Sequence, residues 1–115
     1  MVIVCVDDDE LVRSVISDML RELSHFVLEF SDALTALSWM STQRSAVDLL
    51  LTDIRMPGMT GFTFAREAKK RHPDLDIIFI SAYAEGISAS DPIIRKPCTL
   101  GGLETALRHA SQSSS

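Results

Sequence analysis

An α/β fold, a parallel sheet covered by helices on both faces, is predicted from three features of the sequence. Short and nearly continuous apolar runs recur along the chain, as strands buried on both faces require. The first three runs are each followed by a segment of helical apolar spacing, and this alternation favours a doubly wound sheet. Polar residues close the runs at one common end, where open α/β sheets place their ligands.

Met1–Val6 is the first run, ended by three aspartates, and reads as a buried strand. Leu11, Val12, Val15, Ile16, Met19, Leu20 and Leu23 then recur at helical spacing. Phe26–Phe30 is a second strand, and either Ser31 or Asp32 caps a helix carrying Leu34, Leu37 and Met40. Val47–Leu51 is a third strand, interrupted by Asp48 and closed by Thr52 and Asp53. Pro57, Gly58 and Gly61 make 56–61 a loop. Thr60 caps the next helix, which ends near His72 before Pro73. Ile77–Ile80 forms a fourth strand and Pro92–Arg95 contains a short fifth. Leu100, Leu103, Leu107 and Ala110 mark a last amphipathic helix, followed by a frayed serine-rich tail.

Composition narrows the function classes. The 115 residues are 46% apolar and 23% charged, an ordinary balance for one folded domain. A net charge of −5 argues against nonspecific binding to nucleic acid or an anionic membrane. No apolar run approaches the length of about 18 residues that a membrane helix needs. The start of the chain is apolar and then acidic, without a basic leader or small-residue cleavage site, and does not read as a secretory leader, so a soluble, cytoplasmic domain is expected. Cys5 and Cys98 are too few and too isolated for a disulfide framework or a zinc site, and both read as structural. His25, His72 and His109 lack metal-ligand spacing and read as solvated. Trp39 and Met40 read as core of the second helix.

The residues that carry chemistry gather at the strand ends. Asp7, Asp8 and Asp9 follow the first strand, Asp53 the third, Ser81 the fourth and Lys96 the fifth. If the first and third strands are neighbours, several carboxylates share one pocket and need a cation to neutralise them. An all-oxygen set suits Mg²⁺, which shares its remaining positions with phosphate oxygens. Lys96 adds a mobile point charge suited to phosphate. Each residue has a commoner structural role: Asp9 as a helix cap, Asp53 and Ser81 in turns, Lys96 on the surface. Their joint placement on one edge outweighs those roles and suggests phosphoryl chemistry on a carboxylate.

VIVCVDDDE at 2–10, DLLLTDIRMPGMTGF at 48–62, IIFISAY at 77–83 and IIRKPCT at 93–99 resemble the receiver domain of bacterial response regulators over nearly the whole chain. The resemblance implies a flavodoxin-like, five-stranded parallel sheet of order 2-1-3-4-5. It implies a receiver domain over 1–110, with 111–115 a disordered tail or the start of a linker. Asp53 becomes the phosphoacceptor, supplied by a histidine kinase, a histidine phosphotransfer protein or a small phosphodonor. Mg²⁺ is held by Asp8 and Asp53, by the Arg55 backbone carbonyl, and by Asp7 through water. Ser81 and Lys96 contact the phosphoryl group, and the Lys96–Pro97 bond is cis. The output is a downstream protein target or an appended output domain, with no direct contact to nucleic acid or membrane. Such a domain is no conventional enzyme, although it catalyses its own phosphorylation and slow dephosphorylation.

The chain departs from that pattern between Ser81 and Lys96, where it is shorter by about two helical turns. Gly86, Pro92 and the weak apolar periodicity of this stretch imply that the fourth helix is reduced or absent. Ile93 stands where the family places a switch aromatic. FISAY at 79–83 resembles the subfamily with a Phe-Ala-Thr-Gly-Tyr motif, which makes Tyr83 a candidate gate, or simply a ring covering the sheet edge. Arg55 and Tyr83 also lie near the path of water to Asp53. The competing reading is a pseudo-receiver that binds protein without taking phosphate, against which the retained Asp8, Asp53, Ser81 and Lys96 argue. An aspartyl phosphohydrolase is disfavoured because Arg55 occupies the place of its second acid. A dinucleotide-binding domain is excluded by the lack of a glycine-rich turn after the first strand.

Overall fold

The structure, a computed structural model, describes residues 1–42, 47–82 and 93–113. Among them are five strands and four helices: β1 (Val2–Val6), α1 (Glu10–Glu22), β2 (Phe26–Phe30), α2 (Ala33–Thr42), β3 (Leu49–Asp53), α3 (Gly61–Arg71), β4 (Asp76–Ser81), β5 (Ile93–Arg95) and α4 (Leu100–Ser113). All strand pairs are parallel and the order is β2-β1-β3-β4-β5, as the resemblance implied. The elements fall where the apolar pattern put them, within a residue or two of the expected bounds, except that α4 continues past Ala110 to Ser113. The segment 83–92, where the fourth helix is expected to be lost and where Tyr83 lies, falls outside the described residues.

Strand alternation sends successive side chains to opposite faces and so divides the core in two. Val4 and Val6 of β1 pack with Met40 of α2, Leu50 of β3 and Phe64 and Ala68 of α3. Ile3 and Cys5 face the other way, against Ile16 and Leu20 of α1 and Leu103 and Leu107 of α4. Both faces of the sheet are thereby covered, which is why its strands are nearly all apolar. Cys5 is fully buried, and burial pushes its thiol pKa up to about 12. It acts as a small hydrophobe, as expected.

Helix starts follow local chemistry. Asp9 caps α1 by accepting the Val12 amide at 3.1 Å, and Thr60 caps α3 by accepting the Thr63 amide at 3.2 Å. Of the two candidates before α2, Asp32 does the work: its carboxylate accepts the Thr35 amide at 2.7 Å and the Thr35 hydroxyl at 3.0 Å. Those bonds, the backbone one first, hold its carboxyl below the ordinary carboxylate value. A carboxyl depressed in the folded state stabilises above its unfolded pKa and loses that contribution as pH falls through the folded value. Asp32→Ala is therefore expected to lower the urea midpoint at pH 7, and the deficit to shrink under acid conditions that protonate Asp32 in both the folded and the unfolded wild type. An equal deficit at both pH values would discard the charged cap.

Two sequence expectations are corrected by packing. His72, expected to be solvated, is half-buried with Nε2 3.0 Å from the Met40 carbonyl, because the end of α3 lies against the end of α2. Arg71 Nε reinforces that junction by donating to Ser41 Oγ at 2.6 Å. Trp39 is only partly buried; its ring lies 5.6 Å from Phe30 at the rim of the core, whereas Met40 is fully enclosed.

Candidate functional site

Parallel pairing of β1 with both β2 and β3 brings the ends of β1 and β3 side by side. Asp7 leaves β1 fully buried, Asp8 is exposed beside it, and Asp53 is the last residue of β3 and 7% exposed. Carboxylate oxygens of Asp7, Asp8 and Asp53 all lie within 4.8 Å of one another. Lys96, just past β5, reaches across the edge: its Nζ donates to Asp53 Oδ2 at 3.1 Å and lies 3.0 Å from Asp7 Oδ2.

Asp7 and Asp53 are held by the backbone as well. The Asp9 amide donates to Asp7 Oδ1 at 2.9 Å, and the Arg55 amide to Asp53 Oδ1 at 3.3 Å. The turn role that Asp53 could have had by itself is thus real, and is combined with the contact to Lys96. Ser81 ends β4 almost fully buried, and its carbonyl accepts the Lys96 amide at 2.9 Å, which ties β4 to the base of the lysine. The Lys96–Pro97 bond is cis, as the resemblance implied. Arg55 is exposed beyond Asp53, and Ile93 opens β5 opposite Phe79, packed against the apolar core. Tyr83 is outside the described residues.

The electrostatics follow from this crowding. Burial raises the Asp53 carboxyl above its ordinary pKa; the hydrogen bond from Lys96 pulls it down and the Asp7 charge pushes it up. Burial acts to lower the Lys96 ammonium, but its pairing with Asp7 and Asp53 outweighs burial and leaves it raised. One ammonium therefore balances two buried carboxylates, and the cluster keeps a net negative charge that a further cation would relieve. Asp7 Oδ2 is buried and accepts no hydrogen bond, its contact with Lys96 being an ion pair only. A converging set of hard oxygen donors with more negative charge than Lys96 can balance fits Mg²⁺.

Two residues of the site were missed from sequence. Arg13 of α1 donates Nη1 to the Asp7 carbonyl at 2.7 Å; an arginine on a helix carries no local mark of that contact. Gly61, read only as a turn residue, starts α3 against the backbone of Asp53 and Ile54, and its amide donates to the Ile54 carbonyl at 2.7 Å. A glycine after a capping threonine was the available signal.

Comparison with known proteins agrees with this geometry. The response regulator receiver domain family matches residues 3–108. The chain is 47% identical over 85 residues to the cyclic di-GMP phosphodiesterase response regulator RpfG of Xanthomonas campestris, covering 69% of this chain and 21% of that protein. It is 32% identical over 113 residues to the sensor kinase CckA of Brucella abortus, covering 92% of this chain and 12% of the kinase. The chain thus spans only a small part of these relatives' own length. Among solved structures, the receiver domain of the sensor histidine kinase PA1611 from Pseudomonas aeruginosa PAO1, with a magnesium ion coordinated in its active site cleft, superimposes with a TM-score of 0.82 at 26% identity, covering 94% of each chain. From the strand order, the acidic strand ends bridged by Lys96, and a family match over nearly its whole length, the chain belongs to the response regulator receiver domains of two-component signalling.

Proposed function

We propose that this chain is a phosphoacceptor receiver in which Asp53 takes a phosphoryl group from a histidine kinase or a histidine phosphotransfer protein, and the resulting change controls binding of a partner or an appended output domain. The observation that carries this reading is the bridge from Lys96 Nζ to Asp7 and Asp53 at 3.0 and 3.1 Å. It favours the ionised form of Asp53 against the burial that opposes it, at the end of a largely apolar strand.

A carboxylate oxygen of Asp53 forms the new O–P bond as the N–P bond of the donor phosphohistidine breaks, leaving the donor imidazole and an acyl phosphate. The roles that follow were expected from the resemblance. Lys96 turns from the carboxylate to an oxygen of the phosphoryl group, and Ser81 donates its hydroxyl to another. Asp8, Asp53 and the Arg55 carbonyl would hold Mg²⁺ directly, with Asp7 acting through water; the ion supplies positive charge against the oxygens as charge builds in transfer. Water attack on the acyl phosphate breaks the O–P bond, releases inorganic phosphate and returns the free Asp53 carboxylate. The short crossover after Ser81, with Tyr83 in place of the switch aromatic that Ile93 lacks, belongs to the same proposal and aligns the chain with the Phe-Ala-Thr-Gly-Tyr-like subfamily. Among the described residues no helix is long and apolar enough to cross a membrane, which is compatible with action in the cytoplasm.

Intact mass after incubation with acetyl phosphate and Mg²⁺ tests the reading. One phosphoryl adduct is expected, dependent on Mg²⁺ and lost in Asp53→Asn. If no adduct forms and the protein also fails to bind beryllofluoride, the site does not take phosphate and the chain is a protein-binding module with the receiver fold.

A further inference from the structure

The peptide that joins Asp7 to Asp8 separates two acids of opposite character, one fully buried and one exposed. Its orientation decides how both carboxylates enter the pocket. The preceding peptide is tied to β2, where the Asp7 amide donates to the Phe30 carbonyl over a long 3.3 Å. The carbonyl of the Asp7–Asp8 peptide itself accepts a charged donor at 2.7 Å from Arg13 Nη1. Charge-assisted bonds of this length are the stronger kind.

Arg13 is itself held by an ion pair, although its Nε donates no hydrogen bond. Its side chain is 15% exposed, and Nε lies 3.5 Å from Glu29 Oε1 on β2, while Arg21 Nη2 holds the other oxygen of Glu29 at 3.1 Å. The guanidinium therefore braces the first turns of α1 against β2 and grips the Asp7–Asp8 peptide between them. Among the described residues its hydrogen bond goes to the Asp7 carbonyl and its ion pair to Glu29, not to a carboxylate of the pocket.

We propose that Arg13 is a positioning residue of the acidic pocket: by gripping the Asp7 carbonyl while braced on Glu29, it aims Asp7 and Asp8 and so sets the affinity of the pocket for Mg²⁺. The proposal rests on the phosphoacceptor reading for the identity of the ion. Positioning and bare charge predict opposite signs here. Removing a cation near the pocket would, by Coulomb's law alone, tighten binding of another cation. Removing a brace that orients metal ligands weakens it, typically by about 10–100-fold.

The test is calorimetric titration of Mg²⁺ into the unphosphorylated protein, with the amide shifts of Asp9 and Arg55 as site-resolved reporters. Arg13→Gln is expected to raise the Kd for Mg²⁺ at least about tenfold. A role confined to stability would lower the urea midpoint yet leave the Kd of the folded variant unchanged, and an unchanged or lowered Kd overturns the proposal. Should Arg13→Gln not fold, Arg13→Lys serves. It keeps the charge but cannot hold the Asp7 carbonyl and Glu29 together, so its Kd is also expected to rise, and an unchanged Kd overturns the proposal. Wild-type protein without saturable Mg²⁺ binding takes down the phosphoacceptor reading and this one together. Wild-type binding with an unaffected Arg13→Gln removes only the role of Arg13.

Discussion

Lys96→Met is expected to destabilise the protein by about 3 kcal/mol at pH 7 in the presence of a chelator, because it strips from a buried carboxylate pair the ammonium that contacts both. In the wild type, Nζ lies 3.0 Å from fully buried Asp7 and 3.1 Å from Asp53, which is 7% exposed. Methionine preserves the length and apolar bulk of the side chain, so packing changes little and the loss reports charge. Two further results follow from the same cause. Mg²⁺ is expected to restore part of the lost stability, since an ion bound to the folded state alone stabilises by mass action. Acid is also expected to restore it. The Asp53 carboxyl is already raised by burial, and the hydrogen bond from Lys96 that pulls it down is gone. The folded variant then binds protons more tightly than the unfolded chain, and its stability rises as pH falls through the carboxyl range. Urea denaturation at pH 7 and at mildly acid pH, with chelator and with Mg²⁺, checks all three. A variant as stable as the wild type in chelator at pH 7 would show that solvent, and not Lys96, neutralises the pair.

Gly61→Ala is expected to cost at least about 3 kcal/mol and to slow formation of the Asp53 adduct. A β-carbon at this position would fall inside the Asp53 carbonyl oxygen and 2.9 Å from Ile54 Cα. Both obstacles are backbone atoms at the strand end that carries Asp53, so relief requires moving β3 or the start of α3. Overpacking of this kind costs about 1–3 kcal/mol where side chains can yield, and more where they cannot. Gly58 is the internal comparison. It adopts φ 84° with open space around it, so alanine there meets only the strain of left-handed backbone, about 1 kcal/mol. Unfolding midpoints of the two variants are expected to rank Gly61→Ala well below Gly58→Ala. The reverse order would mean that the contact with Asp53 is relieved without cost.

Much of this protein follows from local pattern. The apolar runs at 2–6, 49–53 and 76–81 mark strands because a strand covered on both faces has little polar side to show. Asp9, Thr60 and Asp32 mark helix starts because a short oxygen side chain satisfies amides that the helix leaves free. Asp7, Asp8, Asp53, Ser81 and Lys96 were legible as one group, since strand ends in a parallel sheet share an edge whatever the strand order.

Pairwise geometry was not legible, because it depends on which strands become neighbours and how deep each end lies. The sequence could not show that Lys96 reaches both Asp7 and Asp53, or that Asp7 is the enclosed acid and Asp8 the exposed one. Arg13 looked like any helical arginine until α1 packed beside the end of β1 and brought its guanidinium to the Asp7 carbonyl. His72 looked solvated until α3 met α2 at Met40. Gly61 looked like a turn residue until α3 closed on the backbone of Asp53. By itself the sequence determined the periodicities, the caps and the strand-end chemistry, all set by interactions within a few residues of one another. Tertiary structure decided contacts between residues distant in the chain, because those depend on the packing of whole elements.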